Sequence, residues 1–148
     1  MKEIQIKKYV QYLFGVSILI FILNKLYIRP WILENEWSGF VLILTNSIPN
    51  LLEAIIGTLL LTGILLQLHQ SFIKETRPIK DIYIHICAVV IAAIYVLSQE
   101  LRFHNVGGNN VYDTYDLIAS VIGLIGTFTV IQIFGFVYIN KTRTSAVI

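Results

Sequence analysis

Cysteine, proline and charge are all scarce in this chain of 148 residues: it has one cysteine, three prolines, and only 14% of its residues are charged. A lone thiol, Cys87, allows neither an intrachain disulfide nor a cysteine zinc cluster, which excludes a disulfide-built secreted module and leaves Cys87 as a small packing residue. Ordinary soluble domains carry about 25% charged residues, so this composition also excludes a cytosolic enzyme. The high apolar content excludes a disordered tail. A formal net charge of +2 is too small to point to a nucleic-acid partner. Catalytic signatures are missing as well, with no G-x-S-x-G elbow, no Walker loop and no H-E-x-x-H motif. His69, His85 and His104 lack zinc-ligand spacing, and His85 reads as a hydrogen-bonded helix residue. No cofactor is implied. Paired carboxylates near a membrane surface can perform acid–base chemistry, but nothing names a nucleophile or a substrate, so an enzyme is the less favoured class.

What the chain has instead is apolar length. It is 56% hydrophobic, with a mean hydropathy of +0.74, arranged in four stretches near the roughly 20 residues that cross a bilayer as helix. This predicts an all-α membrane protein, residues 1–148 forming a single domain of four transmembrane helices in a bundle. The first span is expected from about Tyr9 to Ile28, retained as an anchor because no small-x-small cleavage site follows it. A helix from Ser38 to Leu68 would measure about 46 Å at about 1.5 Å per residue, so a break is expected between Thr45 and Pro49. Asn46 or Ser47 would cap the new helix, with Pro49 in its first turn. Residues from Trp31 to Leu44 then form an interfacial or shallowly re-entrant segment between spans one and two, its tryptophans at headgroup level. The third span runs from about Ile82 to Leu97, reaching full length if its helix continues through Glu100. The fourth runs from near Asp113 to near Tyr138.

The few basic residues set an orientation. Lys2, Lys7, Lys8, Lys74, Arg77, Lys80, Lys141 and Arg143 fall on one side of these spans, and Lys25, Arg29 and Arg102 on the other. The positive-inside rule then predicts a multi-pass membrane protein with both termini in the cytoplasm.

With that topology the remaining polar residues collect at the outer ends of the helices, where Asn50, Glu53, Glu100, Arg102, Asp113 and Asp116 form a candidate polar site. Glu53 lies about one turn inside its span, where an ionised carboxylate must be paired or hydrated, here by Lys25 or Arg102 if its role is structural. Asp113 and Asp116 suit the first turn of a helix, capping free N–H groups. With Glu100 they also offer oxygen ligands to a hard cation, although no calcium-loop spacing is present and the metal stays unknown. Three helical stripes are expected to face inward: Asn46, Asn50, Glu53 and Gly57; Gln99, Tyr95, Ala92 and Ala88; and Asp113, Asp116, Ser120, Gly123 and Thr127. Gly57, Gly123 and Gly126 are the expected close-packing positions.

Asn50–Gly57 and Asp116–Gly123 read as a faint internal repeat, both entering the membrane from the same side. The run Tyr112–Gly126, preceded by Glu100 and a polar glycine-bearing loop, resembles the carboxy-terminal signature of the VanZ-like family of small bacterial integral membrane proteins. The resemblance covers about 30 residues, aligning Glu100 with a helix-end glutamate, Asp116 with a helix-opening aspartate, and Gly123 and Gly126 with a G-x-x-G pair. Phe103, Asn110 and Ser120 stand where that family commonly has glutamine, arginine and asparagine. The resemblance implies a cell-envelope protein with a role in susceptibility to teicoplanin-type glycopeptides, the antibiotic-resistance phenotype that names the family.

Three functions follow. The first is an envelope protein that binds an outer-leaflet lipid or a lipid-linked cell-wall precursor through its acidic outer mouth. The second is a small proton- or cation-coupled transporter with Glu53 as the titrating group, against which stands the lack of an evident polar half-channel on the inner side. The third is a non-catalytic scaffold or accessory subunit whose small residues Ala54, Thr58 and Thr62 contact a membrane-protein partner or a second copy.

Overall fold

The computed structural model describes residues 5–37, 39–72, 80–100 and 114–138, with 72, 99 and 100 described by backbone alone. The chain is an all-α bundle whose four long helical segments, Lys8–Glu34, Phe40–Ser71, Asp81–Ser98 and Thr114–Phe134, are each long and apolar enough to cross a membrane. It is a multi-pass membrane protein. The helices are α1 (Lys8–Leu23), α2 (Arg29–Glu34), α3 (Phe40–Phe72), α4 (Asp81–Glu100) and α5 (Thr114–Phe134).

α1 and α2 are one rod joined by a π turn, Asn24–Ile28, closed by the Arg29 N–H bonding the Asn24 carbonyl. Pro30 stands in the first turn of α2. A proline ring presses on the turn before it and donates no hydrogen bond, so the wider π turn sits where an α turn would be strained. The rod ends at a reversal in which the Trp37 N–H bonds the Ile32 carbonyl and the Glu36 N–H bonds the Leu33 carbonyl. This is a Schellman cap, and it needs a left-handed residue at Glu36, whose φ is 53°. Glu36→Gly is therefore expected to raise stability by about 1 kcal/mol, measured as a higher unfolding midpoint in detergent micelles.

The expected interfacial segment is thus divided differently. Residues 31–34 finish the first rod, and Phe40 already opens α3. Trp31 and Trp37 meet at the hairpin tip with ring centroids 5.8 Å apart.

The expected break near Pro49 does not occur: α3 is continuous through Pro49 for 33 residues. Proline removes the N–H that would bond the carbonyl four residues earlier, here that of Thr45. Asn24, fully buried on the neighbouring rod, supplies the replacement, its Nδ2 donating to the Thr45 carbonyl at 3.0 Å. The Thr45 hydroxyl bonds the Val41 carbonyl at 2.8 Å, fastening the turn above. At about 1.5 Å per residue α3 measures about 50 Å, more than the roughly 30 Å of hydrocarbon, so it tilts or emerges.

α4 continues to Glu100, which gives the third span its full length. α5 stops at Phe134 rather than near Tyr138. There Gly135 takes a left-handed φ of 70° and turns the chain back. The returning segment pairs with the residues before α1 through the Ile6–Val137 bridge and through Lys7 N–H to the Phe136 carbonyl. Lys7 Nζ donates to the Phe134 carbonyl, placing a cation at the negative end of α5, and the Tyr9 hydroxyl donates to the Gly135 carbonyl at 2.7 Å.

α3 is the central helix. It packs on α5, α4 and α1, whereas among the described helices α1 reaches α5 only near its start, where the Tyr9 and Phe134 rings lie 5.7 Å apart. One apolar cluster gathers Ala54, Ala92, Val96 and Leu124; a second, around Phe136, gathers Val10, Leu59, Leu66, Ile84 and Ile131. The end holding Trp31, Trp37 and Thr114 is called the tip end below, and the end holding Lys7 and Phe136 the terminal end.

Candidate functional site

α3 and α5 run parallel, and two contacts fix their register. The Ser47 hydroxyl donates to Asp116 Oδ1 at 2.8 Å. About two turns further along α5, Gly123 lies against Leu51 and Ala54, so closely that a Cβ there would stand 2.6 Å from the Leu51 carbonyl oxygen. The same register continued brings Thr58 opposite Thr127. Ser120, Gly123 and Thr127 are all buried, so the α5 stripe faces inward. Asp116, on that stripe, is held by Ser47 and belongs to the α3–α5 seam.

The other stripes divide. Ala88 and Ala92 on α4 are buried, but Tyr95 is 59% exposed and turns to the lipid side. The α3 stripe of Asn46, Asn50, Glu53 and Gly57 does not face the bundle interior either. Helical steps carry it on to Leu60, Ile64 and Leu68, which are 46%, 46% and 45% exposed, so this face looks outward. The inward face of α3 is Ser47, Ala54, Thr58 and Thr62 instead, with Ala54, Thr58 and Thr62 fully buried. These three residues, expected to meet a partner protein, are thus consumed by the chain's own packing.

The glycine expectations resolve in the same way. Gly123 is a point of closest helix approach, whereas a Cβ at Gly57 or Gly126 would meet nothing within 4 Å. Gly57 lies on the outward face of α3 and Gly126 is exposed on α5, so neither is a packing position. The repeat expected between Asn50–Gly57 and Asp116–Gly123 runs in parallel helices, but the contact that forms sets Asp116 against Ser47, not Asn50.

On the outward face Glu53 is half-buried, and its electrostatic neighbour is Lys25. Lys25 runs back along α1, its Nζ 5.5 Å from the Phe21 ring centroid. Glu53 itself lies about 12 Å below Thr45 along the helix. Above it, Asn46 Oδ1 is buried with no hydrogen-bond partner, and so is Asn24 Oδ1. The tip end thus gathers the half-buried Glu53 carboxylate, the Lys25 ammonium, and the buried amide oxygens of Asn24 and Asn46 with acceptor capacity unspent.

Of the other candidates, Glu100 ends α4, with its side chain outside the described residues, as are Arg102 and Asp113. Among the described residues no three His, Cys, Asp or Glu side chains are grouped to hold a metal ion.

At the terminal end the structure brings together residues that periodicity did not connect. His85 on α4 is buried, its Nδ1 3.0 Å from Gln132 Nε2 on α5 and its ring 6.4 Å from the Phe136 ring. The expectation for His85 is met at Nδ1 only, since Nε2 is buried without a partner. No sequence signal joins His85 to Gln132, because they lie on different helices. No protein-family model, curated protein or solved structure matches this chain.

Proposed function

We propose that the chain is a VanZ-like protein of the bacterial cytoplasmic membrane that binds an outer-leaflet amphiphile, a lipid or lipid-linked cell-wall precursor, at the polar tip-end surface that carries Glu53 and Lys25. One observation carries this reading. The polar stripe Asn46, Asn50 and Glu53 continues a lipid-facing row of leucine and isoleucine and is turned away from the bundle core. A carboxylate on a lipid-facing surface is costly unless something pairs with it, and intramembrane ionisable groups mark functional sites. A headgroup entering from the bilayer, with its acyl chains left in lipid, would pair with Glu53 without being extracted.

The chemistry of this surface narrows the ligand. Glu53 calls for hydrogen-bond donors, such as amine or hydroxyl groups, while Lys25 suits a phosphate. The resemblance at Glu100, Asp116, Gly123 and Gly126 supports the same envelope role and extends it to glycopeptide susceptibility. The eight-to-three division of lysine and arginine supports an orientation with the tip end outside and both termini in the cytoplasm.

The test is native mass spectrometry of the purified chain released from vesicles of phosphatidylethanolamine, phosphatidylglycerol and a polyprenyl-diphosphate-linked saccharide. Donor-rich lipids are expected to stay bound. Charged hydrogen bonds contribute about 1.5–3 kcal/mol, so Glu53→Gln should weaken retention roughly tenfold to a hundredfold. Equal retention by Glu53→Gln and the parent chain would refute the assignment.

A further inference from the structure

We propose that the pairing of residues 5–7 with residues 136–138 is a proton-sensitive clasp, closed beside a neutral His85 and released when that imidazole gains a proton. The proposal concerns the terminal end alone and does not depend on lipid binding at Glu53.

The clasp is built from three parts of the chain. Phe136, 2% exposed, lies beyond the end of α5 and packs in one apolar cluster with Val10 of α1, Leu59 and Leu66 of α3, Ile84 of α4 and Ile131 of α5. Its backbone is held on one side of the Ile6–Val137 bridge by the Lys7 N–H, which donates to the Phe136 carbonyl at 3.1 Å. On the other side the Tyr138 N–H donates to the Gln5 carbonyl at 3.0 Å. The Lys7 and Tyr9 side chains bond the Phe134 and Gly135 carbonyls. Here, and nowhere else among the described helices, α1 is tied to α5. The third part is His85, 6% exposed on the second turn of α4, whose ring lies 6.4 Å from that of Phe136.

The two nitrogens of His85 stand in different surroundings. Nδ1 is 3.0 Å from Gln132 Nε2 and accepts from it. Gln132 is exposed in the last turn of α5, so a proton reaches Nδ1 from the terminal-end surface without crossing the bundle. Nε2 carries the hydrogen of the neutral ring and is buried with no partner. A neutral ring can stay beside the apolar cluster at the cost of that one unpaired N–H. An imidazolium cannot, because burying an unpaired charge costs far more than burying an unpaired polar group. The Gln132 amide can turn to offer its oxygen to Nδ1–H, but the charge and Nε2 remain uncompensated. Phe136 does not offset them either: its ring is tilted by 46° and 6.4 Å away, beyond the roughly 6 Å at which a cation gains from an aromatic face. Withdrawal of Phe136 lets water reach the ring.

The charged and titratable groups at this end do not reverse the balance. On α4, Asp81 stands one turn before His85 and attracts a cation there, but it is exposed and screened by water. The last turn of α5 carries no charge of its own, and its negative end is already taken by the Lys7 ammonium, which repels a second cation. Tyr9 of α1 donates its hydroxyl hydrogen to the Gly135 carbonyl, and α3 brings His69 in its last turn. A group held neutral in the closed clasp and free to ionise in the open one holds the clasp shut at high pH and opens it as pH falls. An imidazole in water takes up its proton near pH 6.5, so the opening constant rises about tenfold between pH 7.5 and pH 5.5.

The experiment is hydrogen exchange of the full chain in phosphatidylcholine nanodiscs at pH 7.5 and pH 5.5, with labelling times scaled for the intrinsic pH dependence of exchange. The amides of Lys7 and Tyr138 report on the clasp, and those of α5 from Gly123 to Thr127 on the bundle. In the parent chain, protection of the clasp amides is expected to fall about tenfold at pH 5.5 while that of the α5 amides holds. His85→Gln and His85→Phe, neither of which can gain the proton, should show equal clasp protection at both pH values. His69→Gln and Glu53→Gln should respond as the parent does, which assigns the effect to His85 and separates it from lipid binding. Clasp amides of the parent that are unprotected at pH 7.5, or equally protected at both pH values, overturn the proposal. So does a parallel loss of protection in α5, which would be unfolding of the bundle, or a parent-like response in either His85 variant.

Discussion

Asn24→Ala is expected to destabilise the protein by about 1–3 kcal/mol, the cost of leaving a buried carbonyl without its donor. It should do so only while Pro49 is present. The reason lies in α3, where Pro49 withholds the N–H that Thr45 would otherwise receive and Asn24 Nδ2 takes its place at 3.0 Å. Pro49→Ala restores an intrahelical donor to the same oxygen. In that background the Asn24 amide is redundant, and its own buried Oδ1 remains unpartnered. Asn24→Ala should then be close to neutral, giving a coupling energy within the roughly 0.5–3 kcal/mol range of contacting residues. Denaturant unfolding in mixed micelles of the four proteins of this cycle measures it. Additive effects would mean that the Asn24 bond does not compensate for Pro49.

The second large effect belongs to Gly123. Its added Cβ would lie 2.6 Å from the Leu51 carbonyl oxygen and 2.9 Å from the Ala54 Cβ, both on rigid parts of α3. Neither neighbour is the end of a flexible side chain, so the α3–α5 seam must open. Overpacking of this kind costs about 1–3 kcal/mol. The Ser47–Asp116 bond depends on the same seam and should weaken with it. Gly57→Ala and Gly126→Ala are the controls, because nothing stands within 4 Å of either added methyl. They should gain up to about 1 kcal/mol of helix propensity. Thermal unfolding that ranks Gly123→Ala with Gly126→Ala would contradict the close approach.

These two cases show where periodicity is informative and where it stops. Reading a stripe of small residues locates a close approach but not its partner, and three glycines with the same local surroundings differ because only one faces a neighbouring backbone. The break expected at Pro49 followed from local rules. A side chain 21 residues away, on another helix, overrides them. The α3 polar stripe was legible as a stripe, yet its direction was not, since a helix with two faces of small or polar residues can bury either one. Burial of Ala54, Thr58 and Thr62 decides it, and turns Glu53 toward the lipid.

The amino-acid sequence by itself determined the membrane class, the count of four spans and the side on which basic residues collect, because bilayer thickness and the cost of burying charge act on each segment separately. Only the tertiary structure decided which face of α3 is buried, why Pro49 leaves its helix whole, and that His85, Gln132 and Phe136 meet. Those outcomes depend on hydrogen bonds and close packing between helices distant in the chain, whose energies exist only once the helices are side by side.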